Sequence, residues 1–225
     1  MQPLEAVLNH PAIWRGNGCA RVAIPSIPST FPELDAALPG GGWPAAALTE
    51  IYAERAGIGE MQLFMPAAAH ITGTGHWIVL IAPPYIPYAP ALAAYGIKLS
   101  RLILVHASSA EERFWAGEQA LRSHGCGAVL AWIDRAPERA LKRLQLAAEG
   151  SSAAALLFRS ARSIPATPAA LRLHVGRSQS RTVVRIIKRR GSALPAPIVL
   201  DLQAPSSKPD GPRRPADFRS LETVS

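Results

Sequence analysis

The stretch Leu48-Thr-Glu-Ile-Tyr-Ala-Glu-Arg-Ala-Gly-Ile-Gly-Glu-Met61 decides the fold. Leu48 to Tyr52 is a short apolar run that reads as a strand. A turn through Gly57 and Gly59 follows, and a new apolar segment opens at Met61. Strand, glycine turn and helix in that order is the setting of a phosphate-cradling loop. The working loop also needs a lysine for the outer phosphates and a Ser/Thr hydroxyl for magnesium. Read without gaps, those two positions hold Gly59 and Glu60; shifted by one, they hold Glu60 and Met61. Either register lacks the cation and sets a carboxylate where a polyphosphate would lie, at a cost of roughly 1 kcal/mol at 4 Å in water and several-fold more in a drier site. An ordinary strand-to-helix turn is the plainer alternative.

Working outward, further strand signals fall at His76–Ala82, Arg101–His106, Ala128–Ile133 and Ala153–Phe158. Trp77 to Ile81 is apolar throughout, as expected of a strand covered on both faces. Helical patterns alternate with these strands. Ser109 and Glu112 have capping-box spacing and open a helix to about Ser123, with Ala110, Phe114, Gly117 and Leu121 inward. A second helix runs from near Pro137 to Gly150 on Ala140, Leu141, Leu144, Ala147 and Ala148. Alternation of this kind predicts an α/β domain with a mostly parallel sheet flanked by helices. Near the C-terminal end the period changes to two: Leu171, Leu173 and Val175 alternate with Arg172 and His174, and a polar loop leads to a second alternating run at Arg181–Ile187. This is an antiparallel hairpin pattern, to which Ile198–Leu202 adds an edge strand.

The expected organisation is an irregular, partly helical lead-in over residues 1–45, a domain over 46–202 and a flexible tail over 203–225. In the lead-in, Glu5–Asn9 is a candidate helical turn, and Phe31–Leu38 a short helix capped by Thr30. Pro66 is expected to kink the helix after the glycine turn.

The chain has 225 residues and a net charge of +8, but the charge is uneven. Residues 1–134 carry 7 Lys/Arg and 10 Asp/Glu, residues 135–190 carry 13 and 2, and residues 191–225 carry 4 of each. That concentration is the footprint of nucleic acid or an acidic partner, or else a solvated exterior. Arg177, Arg181, Arg185, Lys188, Arg189 and Arg190 form the candidate binding face, without interleaved aromatics for base stacking. Tyr85 and Tyr88, among prolines, either meet a partner or pack beneath their loop. Trp77, Trp115 and Trp132 are expected in the core. Cys19 and Cys126 lie too far apart in sequence for a ligand motif and are read as reduced structural thiols, and the six histidines have no metal-ligand spacing. No metal or cofactor is expected. Ser108 and Ser109 beside His106 are better explained by helix capping than by nucleophilic chemistry. No apolar run is long enough to span a bilayer, and Met1–Glu5 does not begin a secretory signal. The expected setting is cytoplasmic.

Three segments, Ile27–Ile51, Glu60–Pro66 and Trp77–Leu92, resemble the ImuA proteins, bacterial relatives of the RecA recombinase. With the basic hairpin the similarity spans roughly residues 20–202, and Pro83-Pro84-Tyr85 is its most specific part. The resemblance implies a RecA-like core and a role as a non-catalytic accessory in SOS-induced, error-prone translesion DNA synthesis. The implied partners are ImuB, a Y-family-like polymerase homologue, and through it an error-prone replicative-type polymerase; contacts with RecA and DNA are also implied, in a bacterial, nucleoid-associated setting. In such folds a glutamate near the end of the Trp77–Ile81 strand activates water. Here Ala82-Pro83-Pro84-Tyr85 stands there, and no carboxylate follows until Glu111. Asp134 matches a magnesium-holding aspartate, with strand termination as its simpler role. A degenerate phosphate loop (Ala53, Gly57, Gly59, Glu60, Met61) with Asp134 left over implies no ATP hydrolysis. Two other functions remain open: a DNA-stimulated ATPase, and an SOS cell-division inhibitor like the SulA proteins.

Overall fold

The computed structural model describes residues 25–189 and 194–202. The elements begin with β1 (Ser26–Ile27), α1 (Pro32–Ala37), β2 (Trp43–Pro44), β3 (Ala47–Ala53) and α2 (Met65–Gly73). Next come β4 (Trp77–Ile81), α3 (Ala89–Ala94), β5 (Leu102–Val105), α4 (Ala110–Arg122), β6 (Cys126–Trp132) and α5 (Glu138–Glu149). The chain continues with β7 (Ala154–Ser160), β8 (Leu171–Ser178), β9 (Arg181–Lys188) and β10 (Ile198–Leu200). Eight strands form one sheet in the order β10-β9-β8-β3-β7-β6-β4-β5. Neighbours from β8 through β3 to β5 pair in parallel, while β8–β9 and β9–β10 are antiparallel. The expected α/β architecture, with its parallel sheet and C-terminal hairpin, is the one observed.

Both faces of the parallel strands are covered, which explains their near-continuous apolar sequences. Ile78, Leu80, Leu130, Leu156 and Phe158 pack with Met65, Ala68 and Ile71 of α2. The intervening Val79, Ile81, Val129 and Leu157 pack with Phe114 and Leu121 of α4 and Leu141 and Leu144 of α5. The Ser109 hydroxyl accepts the Glu112 N–H at 3.1 Å, and the Glu112 carboxylate accepts the N–H groups of Ser109 and Ser108 at 3.1 and 2.8 Å. Those two bonds hold the Glu112 carboxyl below its ordinary pKa, and nearby Arg113 helps.

Some local expectations are corrected. Pro66 does not kink α2, because a tight turn over Gln62–Phe64 delays the helix to Met65 and leaves Pro66 in the first turn, where a missing N–H costs nothing. Thr30 does not cap α1: its φ is 68°, and the cap residue is Phe31, with no side-chain cap bond. Ala110 and Trp115 face solvent on α4, Trp115 being 62% exposed, while Glu118 is buried and reaches Arg143 of α5 at 2.8 Å. Glu5–Asn9, Cys19, Arg190 and residues 203–225 lie outside the described residues.

Candidate functional site

The C-terminal ends of β3, β4, β6 and β7 open onto a cleft of about 1400 Å³. Ligand sites of open parallel sheets form at such strand ends. The turn after β3 forms one wall. Gly57 and Gly59 have φ of 83° and 104°, a left-handed region that side chains disfavour. Buried Ile58 pins the turn to the core, and a Cβ on Gly59 would meet Leu202 Cδ1 at 3.3 Å and Thr182 Oγ1 at 3.4 Å. Glu60 is folded back into its own turn, where Oε1 accepts the Gly57 N–H at 2.9 Å. The residue is 5% exposed, and Oε2 is buried without a partner. A backbone donor of the kind that cradles phosphate is thus taken by a carboxylate of the same loop. Ala53 ends β3 at the cleft, and Met61 is half-buried against the core.

The opposite wall is the end of β6. Asp134 Oδ1 accepts the Ser160 N–H at 2.7 Å, and its main-chain oxygen accepts Arg159 Nη2 at 3.0 Å. These bonds tie the β6 and β7 ends together, a structural task that Asp134 performs whatever else it does. Ala82 follows β4 with φ of 47° and donates its N–H to Val105 O at 2.9 Å. Arg113 of α4 reaches over the strand ends and donates to the carbonyls of Ala107 and Trp132 at 3.1 and 3.2 Å.

Behind the cleft floor lies a buried polar network. Glu50 of β3 is wholly buried, with Arg159 Nη1 at 2.7 Å and Arg172 Nε at 3.0 Å on its two oxygens. The Tyr52 hydroxyl donates to Glu50 at 3.1 Å and accepts from Arg159 and Arg172 at 3.1 and 3.0 Å. Thr167 donates to Glu50 at 2.5 Å, and Arg172 bonds the Pro165 carbonyl, so the β7–β8 connection is held over the network. Burial pushes the Tyr52 phenol above its ordinary pKa; the Arg172 hydrogen bond opposes that shift and the Glu50 charge adds to it. The sequence reading missed this network. Its signal was a charged residue inside two predicted strands, Glu50 and Arg172, and a third, Arg159, directly after another; such charges must pair if the strands are covered.

The five described basic candidates do not share one face. Arg185 is paired in register with His174, and Arg181 with Ser178, on one side of the hairpin. Arg177 is opposite Thr182, whose neighbours Val184 and Ile186 belong to the other side's core. Arg189 reaches back to the Ala37 carbonyl at the end of α1, and Lys188 to the Thr167 carbonyl at 3.0 Å. Tyr85 and Tyr88 are 69% and 72% exposed, with Ile86 at 86% between them, so this loop is not packed beneath itself. Cys126 is buried and its thiol is pushed up to about 11 by burial, which makes it a poor nucleophile. Among the described residues no group of three or more His, Cys, Asp and Glu is arranged to hold a metal, and no helix is long and apolar enough to cross a membrane.

No protein-family model matches the chain, and no curated protein matches it.

Proposed function

We propose that this chain is a RecA-like protein without ATP turnover, acting as an accessory in error-prone translesion DNA synthesis in the manner of the ImuA proteins it resembles. One observation carries the loss of turnover: the Glu60 carboxylate holds the Gly57 N–H at 2.9 Å. A triphosphate entering this turn has to displace that bond and then lie beside a carboxylate. Like charges 4 Å apart repel by about 4 kcal/mol at an effective dielectric constant near 20. The turn carries Arg55 but no lysine at the loop position that grips the outer phosphates, and Ala82 follows β4 where a water-activating acid would be needed.

The proposed partners are a Y-family-like polymerase homologue of the ImuB type, an error-prone replicative-type polymerase through it, and RecA. The exposed Tyr85-Ile86-Pro87-Tyr88 segment suits protein docking, since aromatic side chains are enriched in interface centres and the flanking prolines reduce the ordering cost.

Two measurements test the reading. Purified protein incubated with labelled ATP and single-stranded DNA should release no phosphate above a mock preparation; turnover would establish the ATPase alternative. Affinity purification from the native host should recover a polymerase homologue. Recovery of the division GTPase in its place would favour the SulA-like alternative.

A further inference from the structure

The geometry points to a single-stranded nucleic-acid site in the cleft, with arginines taking the phosphates and Trp132 taking a base. This location is separate from the hairpin face that the charge pattern singled out. Arg55 after β3, Arg113 of α4, Arg135 after β6, and Arg159 and Arg162 at the end of β7 all line the one cleft. They come from four separate parts of the chain, and they meet three carboxylates there: Glu54, Glu60 and Asp134. Arg159 is paired with Glu50, which leaves four arginines against these three carboxylates, a small positive excess. The exposed side chains of Arg55, Arg135 and Arg162 have no hydrogen-bond or ion-pair partner among the described residues. Unpaired guanidiniums converging on a concave surface suit phosphate oxygens, which they bind through paired N–H donors.

The cleft also has what the hairpin lacks. Trp132 lines it, half-buried, and is stacked on Phe158 with ring centroids 4.7 Å apart and an interplanar angle of 13°. An indole braced in this way is a platform for an unpaired base, and stacking tolerates any base. Two features favour a strand over a free nucleotide. The volume of about 1400 Å³ exceeds the roughly 300–1,000 Å³ of small-molecule pockets. The loop donor that would hold a terminal triphosphate is already engaged by Glu60, whereas the free arginines stand on loops after three adjacent strands, β3, β7 and β6.

The test is fluorescence anisotropy with the purified full chain and a labelled oligothymidylate of roughly 20 nucleotides, longer than the site of a typical single-strand-binding fold. Arg135→Ser with Arg162→Ser should weaken binding at least tenfold at low salt. Each lost phosphate contact should lower the slope of log affinity against log salt by about 0.7, so the pair should lower it by about 1.4. Both side chains are exposed and unpaired, so the melting temperature should hold. Trp132→Ala should weaken binding about tenfold, with Trp132→Phe restoring part of it. Arg181→Ser with Arg185→Ser on the hairpin should change it less than about twofold. Absence of binding by the full chain would overturn the proposal, as would binding that survives the Arg135/Arg162 change or loss confined to the hairpin variant. A nucleoside triphosphate that binds where the oligonucleotide does not would also overturn it. The assay uses this chain alone, so its outcome is independent of whether a polymerase partner is recovered.

Discussion

Removing the Glu50 carboxylate would leave two guanidiniums buried behind the cleft with their shared counter-charge gone. Arg159 and Arg172 are each 6% exposed and cannot turn to water without breaking their bonds to Asp134 and Pro165. Breaking a buried ion pair from one side costs about 3–5 kcal/mol. Glu50→Ala is therefore expected to lose that much stability in urea denaturation, with Glu50→Gln losing less because its amide oxygen still accepts. A loss below about 1 kcal/mol would mean that the arginines relax to solvent. Cys126 sets a second expectation at this scale, on the alkaline side. Its thiol is raised from 9.0 to about 11 in the folded chain, so the folded state holds the proton more tightly. The stabilisation is fully present below pH 9 and is lost as pH rises from 9 to 11, by roughly 2–3 kcal/mol in all. The raised Tyr52 phenol adds a loss of the same sign above pH 10. Cys126→Ala should flatten the stability curve between pH 9 and 11, which chemical denaturation at stepped pH would reveal. The charged residues in the apolar runs signalled a need for partners, but which groups pair was not legible in the sequence, because that depends on which strands lie side by side.

Whole elements were far more legible than single contacts. Strands of four to eight residues with apolar runs, and helices opened by Ser109 and near Pro137, are local patterns, and the chain forms them within one to three residues of the expected bounds. The Glu112 box closes within four residues of sequence, so nothing distant can override it. Side-chain direction was less legible. Trp115 was expected inward, but Phe114, Gly117 and Leu121 already fill the stripe facing the sheet, and the next inward place goes to Glu118 because Arg143 of α5 meets it. The packing between α2 and β6 has a further consequence. A Cβ on Gly127 would come within 2.5 Å of Ile71 Cγ2 and 2.9 Å of His76 Cβ. Neither neighbour is the free end of a long chain, so α2 and the approach to β4 have to move. Gly127→Ala is expected to cost about 1–3 kcal/mol by overpacking, measured as a lowered urea midpoint with an unchanged slope. If Gly127→Ala proves neutral, α2 does not sit this close to β6.

At the scale of the molecule, residues 25–45 contribute side chains to the core, although their Pro- and Gly-rich composition suggested only a lead-in. Leu34, Leu38 and Trp43 are buried with the residues of α2 and the sheet, and Trp43 meets Phe64 edge-on at 5.7 Å between ring centroids. The two-residue ladder of β1 and β2 holds this segment in place, and a Cβ on Gly42 would lie 2.4 Å from the Ile27 carbonyl oxygen, so only glycine fits the crossing. Such packing has no periodic signature: three large apolar residues spread over ten positions among prolines look like a loop until the surface they cover is known. The proposed cleft was hidden for the same reason, because Arg55, Arg113, Arg135 and Arg162 come together only when the strand order is fixed. A chain beginning at Ala46 would expose the apolar surface beneath α1 and Trp43. Replacing one buried Trp by Ala costs about 3–5 kcal/mol, and the truncation removes Leu34 and Leu38 as well, against a total stability of about 5–15 kcal/mol. The shortened chain is therefore expected to lose its cooperative thermal transition and to bind a hydrophobic dye, while Trp43→Phe in the full chain should keep the transition at a lower melting temperature. A sharp, unshifted transition from the chain starting at Ala46 would show that the sheet and its helices are stable without this cover.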